Sequence, residues 1–316
     1  MMGQSSKRPS PRRIDHYRWL RSDGTPNFSD HIYKAPSELD LVTRREVKVI
    51  SPSSTVLKAV EEMSRSYRSL VVTVGTRPIG ILHATNIVDY LGGGPLFSIV
   101  EKRYGFNLYS ALEKEVVDTI MSRVLVTIPS DSKIINVLEA MAATGSGVIL
   151  VVDKEGSLQG IVTEHDMVVY LSGVVSTGLT VGDVMSTPVA VVDKKSPLKK
   201  AMEEMIIQGF RRLPVVEGEV VVGMITAVDV VRYFGHHIAF EKTLTGNIME
   251  AILIPVEEVM SENLVTVKED EDLAKAVSEM LSRNVSSVLV TDDEGVLKGI
   301  VTERDILYAL STSPKR

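Results

Sequence analysis

Apolar and polar positions between residues 264 and 312 follow two periods in turn. LVTV (264–267) alternates as a short strand. Leu273, Ala276, Val277, Met280 and Leu281 then recur at helical spacing on one face, behind Asp270 or Asp272 as the helix start. SSVLVT (286–291) is a short apolar run of buried-strand type. DDEG (292–295) is a turn, VLKGIVT (296–302) returns as a second strand, and ERDILYAL carries a closing helix. The predicted unit is strand, helix, strand, strand, helix.

The same pattern is written four times. GIVTERD (299–305) has copies in GIVTEHD (160–166), GMITAVD (223–229) and GILHATN (80–86). Counted from the Met of the amphipathic helix to the end of the motif, the offsets agree: 23 residues from Met63 to Asn86, 25 from Met141 to Asp166, 24 from Met205 to Asp229 and 25 from Met280 to Asp305. Each motif leads from a strand into a helix N-terminus, whose unpaired N–H groups and partial positive charge suit a phosphate. The Thr and Asp three residues apart could hold a phosphate and a ribose hydroxyl. They also spell a capping box, which needs no ligand. The four tyrosines that follow, Tyr90, Tyr170, Tyr233 and Tyr308, lie a turn further on and read as packing residues.

Repeat 1 spans about 41–91 and ends on Gly92-Gly93-Gly94, a helix stop; repeat 2 spans about 118–172; repeat 3 runs from 182 to 235; repeat 4 follows 256. Long connectors of helical spacing, 95–117 and 236–256, lie between repeats 1 and 2 and between repeats 3 and 4, whereas a short link joins repeats 2 and 3. That contrast predicts two modules, 41–173 and 174–316, since one unit has too little core to stand alone.

Residues 1–40 differ in kind. Up to residue 22, Lys7, Arg8, Arg12, Arg13, Arg18 and Arg21 face Asp15 alone, a net +5 in a chain of −6, so the remainder carries −11. This partly disordered basic arm could dock on nucleic acid, remain a solvated tail, or fold back on its acidic body. The absence of cysteine excludes disulfides, thiolate nucleophiles and Cys-ligated metals. No apolar run approaches the ~18 residues of a membrane span, and the first 25 residues lack a signal-peptide core, so a cytoplasmic protein is expected. There is no phosphate-loop, dinucleotide, HExxH or GxSxG motif. The His236-His237 pair lacks ligand spacing, and no acid or nucleophile recurs beside the repeated Asp. The expectation is a non-catalytic chain without a metal or prosthetic group.

Together with RRLPVVEGEVVVGMIT (211–226) and the phrases DVM at 183 and EVM at 258, these motifs make everything after about residue 41 resemble the cystathionine-β-synthase (CBS) domain family. The resemblance implies an α/β (α+β) disk of four CBS repeats (β-α-β-β-α) paired into two Bateman modules. Its implied ligand is an adenine nucleotide (AMP, ADP or ATP) held in clefts between paired repeats, as in the gamma subunit of AMP-activated protein kinase and its prokaryotic relatives. Carried over, the ligand set is Thr163, His165 and Asp166 from repeat 2, Thr226 and Asp229 from repeat 3, and Thr302, Arg304 and Asp305 from repeat 4. Arg211 and Arg212 match phosphate-facing positions; Ser286 and Ser287 of repeat 4 do not. Repeat 3 has Val228 where a base would help. Repeat 1, with His83 and Asn86, is expected to be weak or empty. An acidic body would repel a nucleotide unless such cations converge at the cleft. Two other readings stay open: a nucleic-acid-associated regulator using residues 1–22, and a sensor of another adenosyl ligand such as S-adenosylmethionine. A regulated partner protein or a homodimer is compatible with each.

Overall fold

The computed structural model describes residues 19–23, 25–34, 38–65, 67–174 and 178–312. Most of the basic arm, residues 1–18, lies outside these residues, as does part of the link between repeats 2 and 3.

Each repeat builds one three-stranded sheet and two principal helices. Repeat 1 has β1 (Val49–Ile50), α1 (Val56–Ser64), β2 (Ser69–Val74), β3 (Arg77–His83) and α2 (Ala84–Val88); repeat 2 has β4 (Thr127–Pro129), α3 (Ile134–Thr144), β5 (Val148–Val152), β6 (Leu158–Thr163) and α4 (Glu164–Val174). Repeat 3 has β7 (Val192–Asp193), α5 (Leu198–Gln208), β8 (Arg212–Glu217), β9 (Val220–Thr226) and α6 (Ala227–Gly235); repeat 4 has β10 (Thr266–Val267), α7 (Leu273–Ser282), β11 (Ser287–Thr291), β12 (Leu297–Thr302) and α8 (Glu303–Thr312). In every sheet the first strand runs parallel to the second, and the second pairs antiparallel with the third. The first step is a right-sized crossover for a helix, and the second is a hairpin, as the alternation of periods requires. Asp272 is the cap that starts α7, accepting from the Ala274 N–H at 2.7 Å.

Apolar faces bring the repeats together in two directions. Sheet residues join repeats 1 and 2 through Val71, Ile81 and Leu150, and repeats 3 and 4 through Val221, Leu289 and Ile300. Helices join repeats 1 and 3 in one large core, where Val60 and Met63 of α1 share a cluster with Val230 and Phe234 of α6. They join repeats 2 and 4 in another, with Met167 and Leu171 of α4 and Ile306 and Leu310 of α8. An approximate two-fold relation therefore exchanges repeat 1 with 3 and repeat 2 with 4.

The connectors obey the same exchange and cover only one of the two cores. Phe97–Tyr104, Leu108–Lys114 and Ile248–Ile252 are helices, and their apolar residues other than the exposed Tyr109 join the core of repeats 1 and 3. Tyr90 and Tyr233 tie the closing helices to them, donating to the carbonyls of Ala111 (2.7 Å) and Ala251 (2.9 Å). Burial raises both phenols well above their usual range, in keeping with a packing role. The glycines after Tyr90 do more than stop a helix: the chain passes through a wide turn, Asp89–Gly93, with Gly92 at φ 140°. A Cβ on Gly93 would lie 2.8 Å from the Met202 carbonyl.

Among the described residues no connector helix covers the core of repeats 2 and 4. Residues 19–34 serve instead: Trp19, Phe28 and Ile32 are buried there, and Trp19 meets Phe28 and Tyr308 edge-on at 6.1 and 6.2 Å. The described part of the arm is thus folded back on the body.

Candidate ligand site

The repeated motif first solves a packing problem. Its glycine (Gly80, Gly160, Gly223 or Gly299) sits where the third strand crosses the segment that precedes the first strand of the paired repeat. A Cβ on Gly80, Gly223 or Gly299 would fall 2.4–2.6 Å from the sulfur of Met121, Met260 or Met185, and one on Gly160 would fall 2.4 Å from Thr43. Only glycine admits this approach, so that letter of the motif records contact between paired repeats.

The Thr–Asp pair forms a capping box in repeats 2, 3 and 4. The Thr163, Thr226 and Thr302 N–H groups donate to Oδ2 of Asp166, Asp229 and Asp305 at 2.8–2.9 Å, and each Thr hydroxyl donates to the same oxygen at 2.6 Å. Oδ1 of each Asp is directed elsewhere. In repeat 1 Asn86 accepts from the His83 N–H at 2.8 Å, keeping the cap without the charge. Burial raises the Asp229 carboxyl, with Thr226 opposing that rise.

The predicted cations converge, but on carboxylates that the motif reading passed over. Glu164 accepts from Arg304 (Nη2 2.6 Å, Nε 2.7 Å) and from Arg211 Nη2 (2.9 Å). Glu303 meets His165 Nδ1 at 2.8 Å and Arg68 Nη1 at 3.3 Å. Arg304 also donates to the Gly145 carbonyl (2.8 Å), and Arg212 donates to the Ser286 carbonyl and hydroxyl. All four repeats contribute, in two half-rings related by the exchange of repeats: Arg211–Glu164–Arg304 and Arg68–Glu303–His165. Arg304 stands where the other half-ring has histidine, and Arg212 where it has Ser69.

These positions explain the electrostatics. Burial would raise the Glu164 carboxyl, but Arg304 and Arg211 more than reverse it and hold the group well below the usual carboxylate range. Glu164 in turn raises Arg211. Arg212 goes the other way, pushed down to about 10 by burial and then by its neighbour Arg211. It is the cation of this cluster least compensated by nearby negative charge. Its Cα is the register partner of Thr226, so Arg211 and Arg212 flank the motif of repeat 3.

Glu164, Glu303 and Arg68 carried a signal. After the motif's Thr or His the residues alternate Ala84, Glu164, Ala227, Glu303; just ahead of the second strand they alternate Arg68, Gly147, Arg211, Ser286. Odd repeats supply the base and even repeats the acid. Gly147 is small for a reason, since a Cβ there would lie 2.9 Å from Glu164. Among the described residues no cluster of His, Asp or Glu could hold a metal ion, and no helix is long and apolar enough to cross a membrane.

A β-α-β-β-α unit repeated four times around one charged centre defines a class: the chain belongs to the CBS domain family, whose profile matches residues 38–93, 116–173, 181–236 and 256–312. CBS domains typically act in pairs as regulatory ligand sensors. Among relatives, the chain is similar to the uncharacterized protein MJ1225 of Methanocaldococcus jannaschii, at 29% identity over 85% of this chain and 97% of that one. It is also similar to an uncharacterized 33.4 kDa protein in a ribosomal RNA operon of Thermofilum pendens, at 31% identity over 87% and 91%. The crystal structure of MJ1225, described as a proposed archaeal homolog of g-AMPK, superposes with a TM-score of 0.81 over 86% of this chain and 98% of that one, at 28% identity.

Proposed function

We propose that this chain is a non-catalytic regulatory protein that binds adenine nucleotides, AMP, ADP or ATP, in clefts between paired repeats, with 41–173 and 174–316 as its two modules. The observation that carries this reading is the meeting of the motif helices with a cluster of charged side chains drawn from all four repeats, its guanidiniums coming from repeats 1, 3 and 4. Thr226 and Asp229 stand beside Arg211 and Arg212, and those arginines reach Glu164 of repeat 2 and Ser286 of repeat 4. A phosphate arriving there competes with the carboxylates for the same donors. Charge-assisted, bidentate pairing suits Arg for that exchange. Because the donors and carboxylates belong to different repeats, the exchange alters contacts between modules, and a ligand regulates only through such a difference between two arrangements. The likeness to MJ1225, with its described relation to g-AMPK, supports the same reading.

Calorimetry with AMP tests it. Fewer than four sites per chain are expected, and Asn86→Ala should change little, because repeat 1 lacks the charged Asp. Four equal sites, or none, would contradict the assignment.

A further inference from the structure

The four clefts differ at one atom. In repeats 2, 3 and 4 the cap consumes Oδ2 of the aspartate, which leaves Oδ1 for an outside donor. In repeat 4, Asp305 Oδ1 accepts from the Ser186 hydroxyl at 2.9 Å. In repeat 3, the nearest cation to Asp229 Oδ1 is Arg232 of the same helix, at 3.7 Å, and the facing Ser261 hydroxyl accepts from the Asn263 N–H. In repeat 2, Arg44 Nε lies 2.5 Å from Asp166 Oδ1.

These facing residues are structural equivalents. Each follows the residue that meets the motif glycine, and each bridges through its backbone to the third strand of the paired repeat: Ser122 to Ile81, Ser186 to Ile300, Ser261 to Met224, and Arg44 to Ile161. Three clefts therefore present serine, and one presents arginine. A serine hydroxyl turns away at little cost. A guanidinium beside a carboxylate only 11% exposed gives up a charge-assisted bond and leaves that carboxylate without its cation.

Resting on the nucleotide reading above, we propose that Arg44 is a specificity-determining residue that holds the Asp166 cleft against ribosyl ligands, so that the Asp229 cleft fills first. A vicinal diol must donate to the oxygen that Arg44 covers, and it must find room where the guanidinium lies. At Asp229 it meets neither obstacle, and Asp305 falls between, with a neutral hydroxyl to displace. The cleft that carries the fuller motif in sequence, with Thr163, His165 and Asp166 all present, is for this reason the last of the three to bind.

The test is calorimetric titration of AMP into the full chain and into R44S, D166N, D229N and the R44S/D166N double variant, with circular dichroism and thermal midpoints confirming the fold of each. D229N should remove the tightest event. R44S should add an event, or tighten the weakest one by about threefold or more, the scale of a partly exposed ion pair, and the gain should vanish in R44S/D166N. A purely structural Arg44 would shift the midpoint without that gain. If D229N abolishes binding but R44S titrates like the parent, the Arg44 assignment falls and the nucleotide reading stands. Loss of the tightest event in D166N but not in D229N overturns the order. If neither parent nor R44S takes up AMP, both readings fall together.

Discussion

Replacing Glu164 by Gln removes one negative charge from the centre and little else. The side chain is 5% exposed and lies between Arg304, itself 14% exposed, and Arg211, 42% exposed. At ~2.8 Å and an effective dielectric of ~20, each pair attracts by roughly 6 kcal/mol before desolvation is charged against it. Breaking a buried pair from one side costs about 3–5 kcal/mol, since the partner keeps its charge in a poorly solvated place. Solvent screens the Arg211 half, which is discounted to less than about 1 kcal/mol, so the Arg304 half dominates and the low end, about 3 kcal/mol, is expected. With ~2.1 cal/mol/K of unfolding entropy per residue over 316 residues, that corresponds to a midpoint lower by about 4–5 °C. The assay is urea unfolding of parent and E164Q at neutral pH in chloride, then with added phosphate. Phosphate should close part of the gap, since an anion that binds the bared guanidiniums stabilises by RT ln(1 + [L]/Kd). The pH dependence has a definite sign. Glu164 is depressed in the folded state, so its contribution is complete above the unfolded value near 4.5 and fades as pH falls toward the lower folded value. The gap between parent and E164Q should be level from about pH 6 to 8 and shrink in acid below ~4.5. Equal stability of the two proteins at neutral pH would refute Glu164 as the counter-ion.

Two further outcomes follow from the same geometry. Arg212, pushed down to about 10 by burial and Arg211, is charged at neutral pH at a cost to the fold; R212Q should therefore change stability in urea by no more than ~1 kcal/mol, and a loss as large as that of E164Q would contradict this. Asp305→Asn keeps a capping oxygen, so its stability should stay within ~1 kcal/mol of the parent, while Asp305→Ala loses ~0.5–2 kcal/mol. If Asp305 also holds ribose, D305N should weaken AMP binding at that cleft by a further ~1–3 kcal/mol, and unchanged affinity would leave the aspartate as a cap alone.

Much of this architecture was legible because each repeat must write its core twice, once at helical period and once as paired strands. Leu273, Ala276, Val277 and Met280, with Met63, Met141 and Met205 as counterparts of the last, could be read directly, as could the long connectors. The Met offsets and the terminal motif marked the four units before any contact was known. What stayed hidden is what depends on how units dock. Apolar faces state that something covers them and not which repeat does, so the helical pairing of 1 with 3 and 2 with 4 left no mark in spacing. Glu164 and Glu303 looked like ordinary helix-start acids, and only the reciprocal alternation with Arg68 and Arg211 distinguishes them. Arg44 lies outside every motif, 122 residues from its partner Asp166, where no local pattern could assign it. Trp19 sits in a stretch whose charge left docking, solvation and folding back all open, and the burial of Trp19, Phe28 and Ile32 against repeats 2 and 4 decides for folding back of its described part.

The central claim is that the guanidiniums at the junction of the repeats read the phosphates while the motif aspartates hold the sugar. It is tested most directly by dissociation constants for adenosine, AMP, ADP and ATP on the parent and on the R211Q/R212Q double variant. Adenosine is common to all four ligands, and only phosphate charge differs among them. The account predicts that the double variant keeps adenosine affinity within about threefold, while the spread among AMP, ADP and ATP narrows by about tenfold, or 1.4 kcal/mol. An equal loss for all four ligands would show that the pair supports the fold alone, and the phosphate-reading role would be withdrawn.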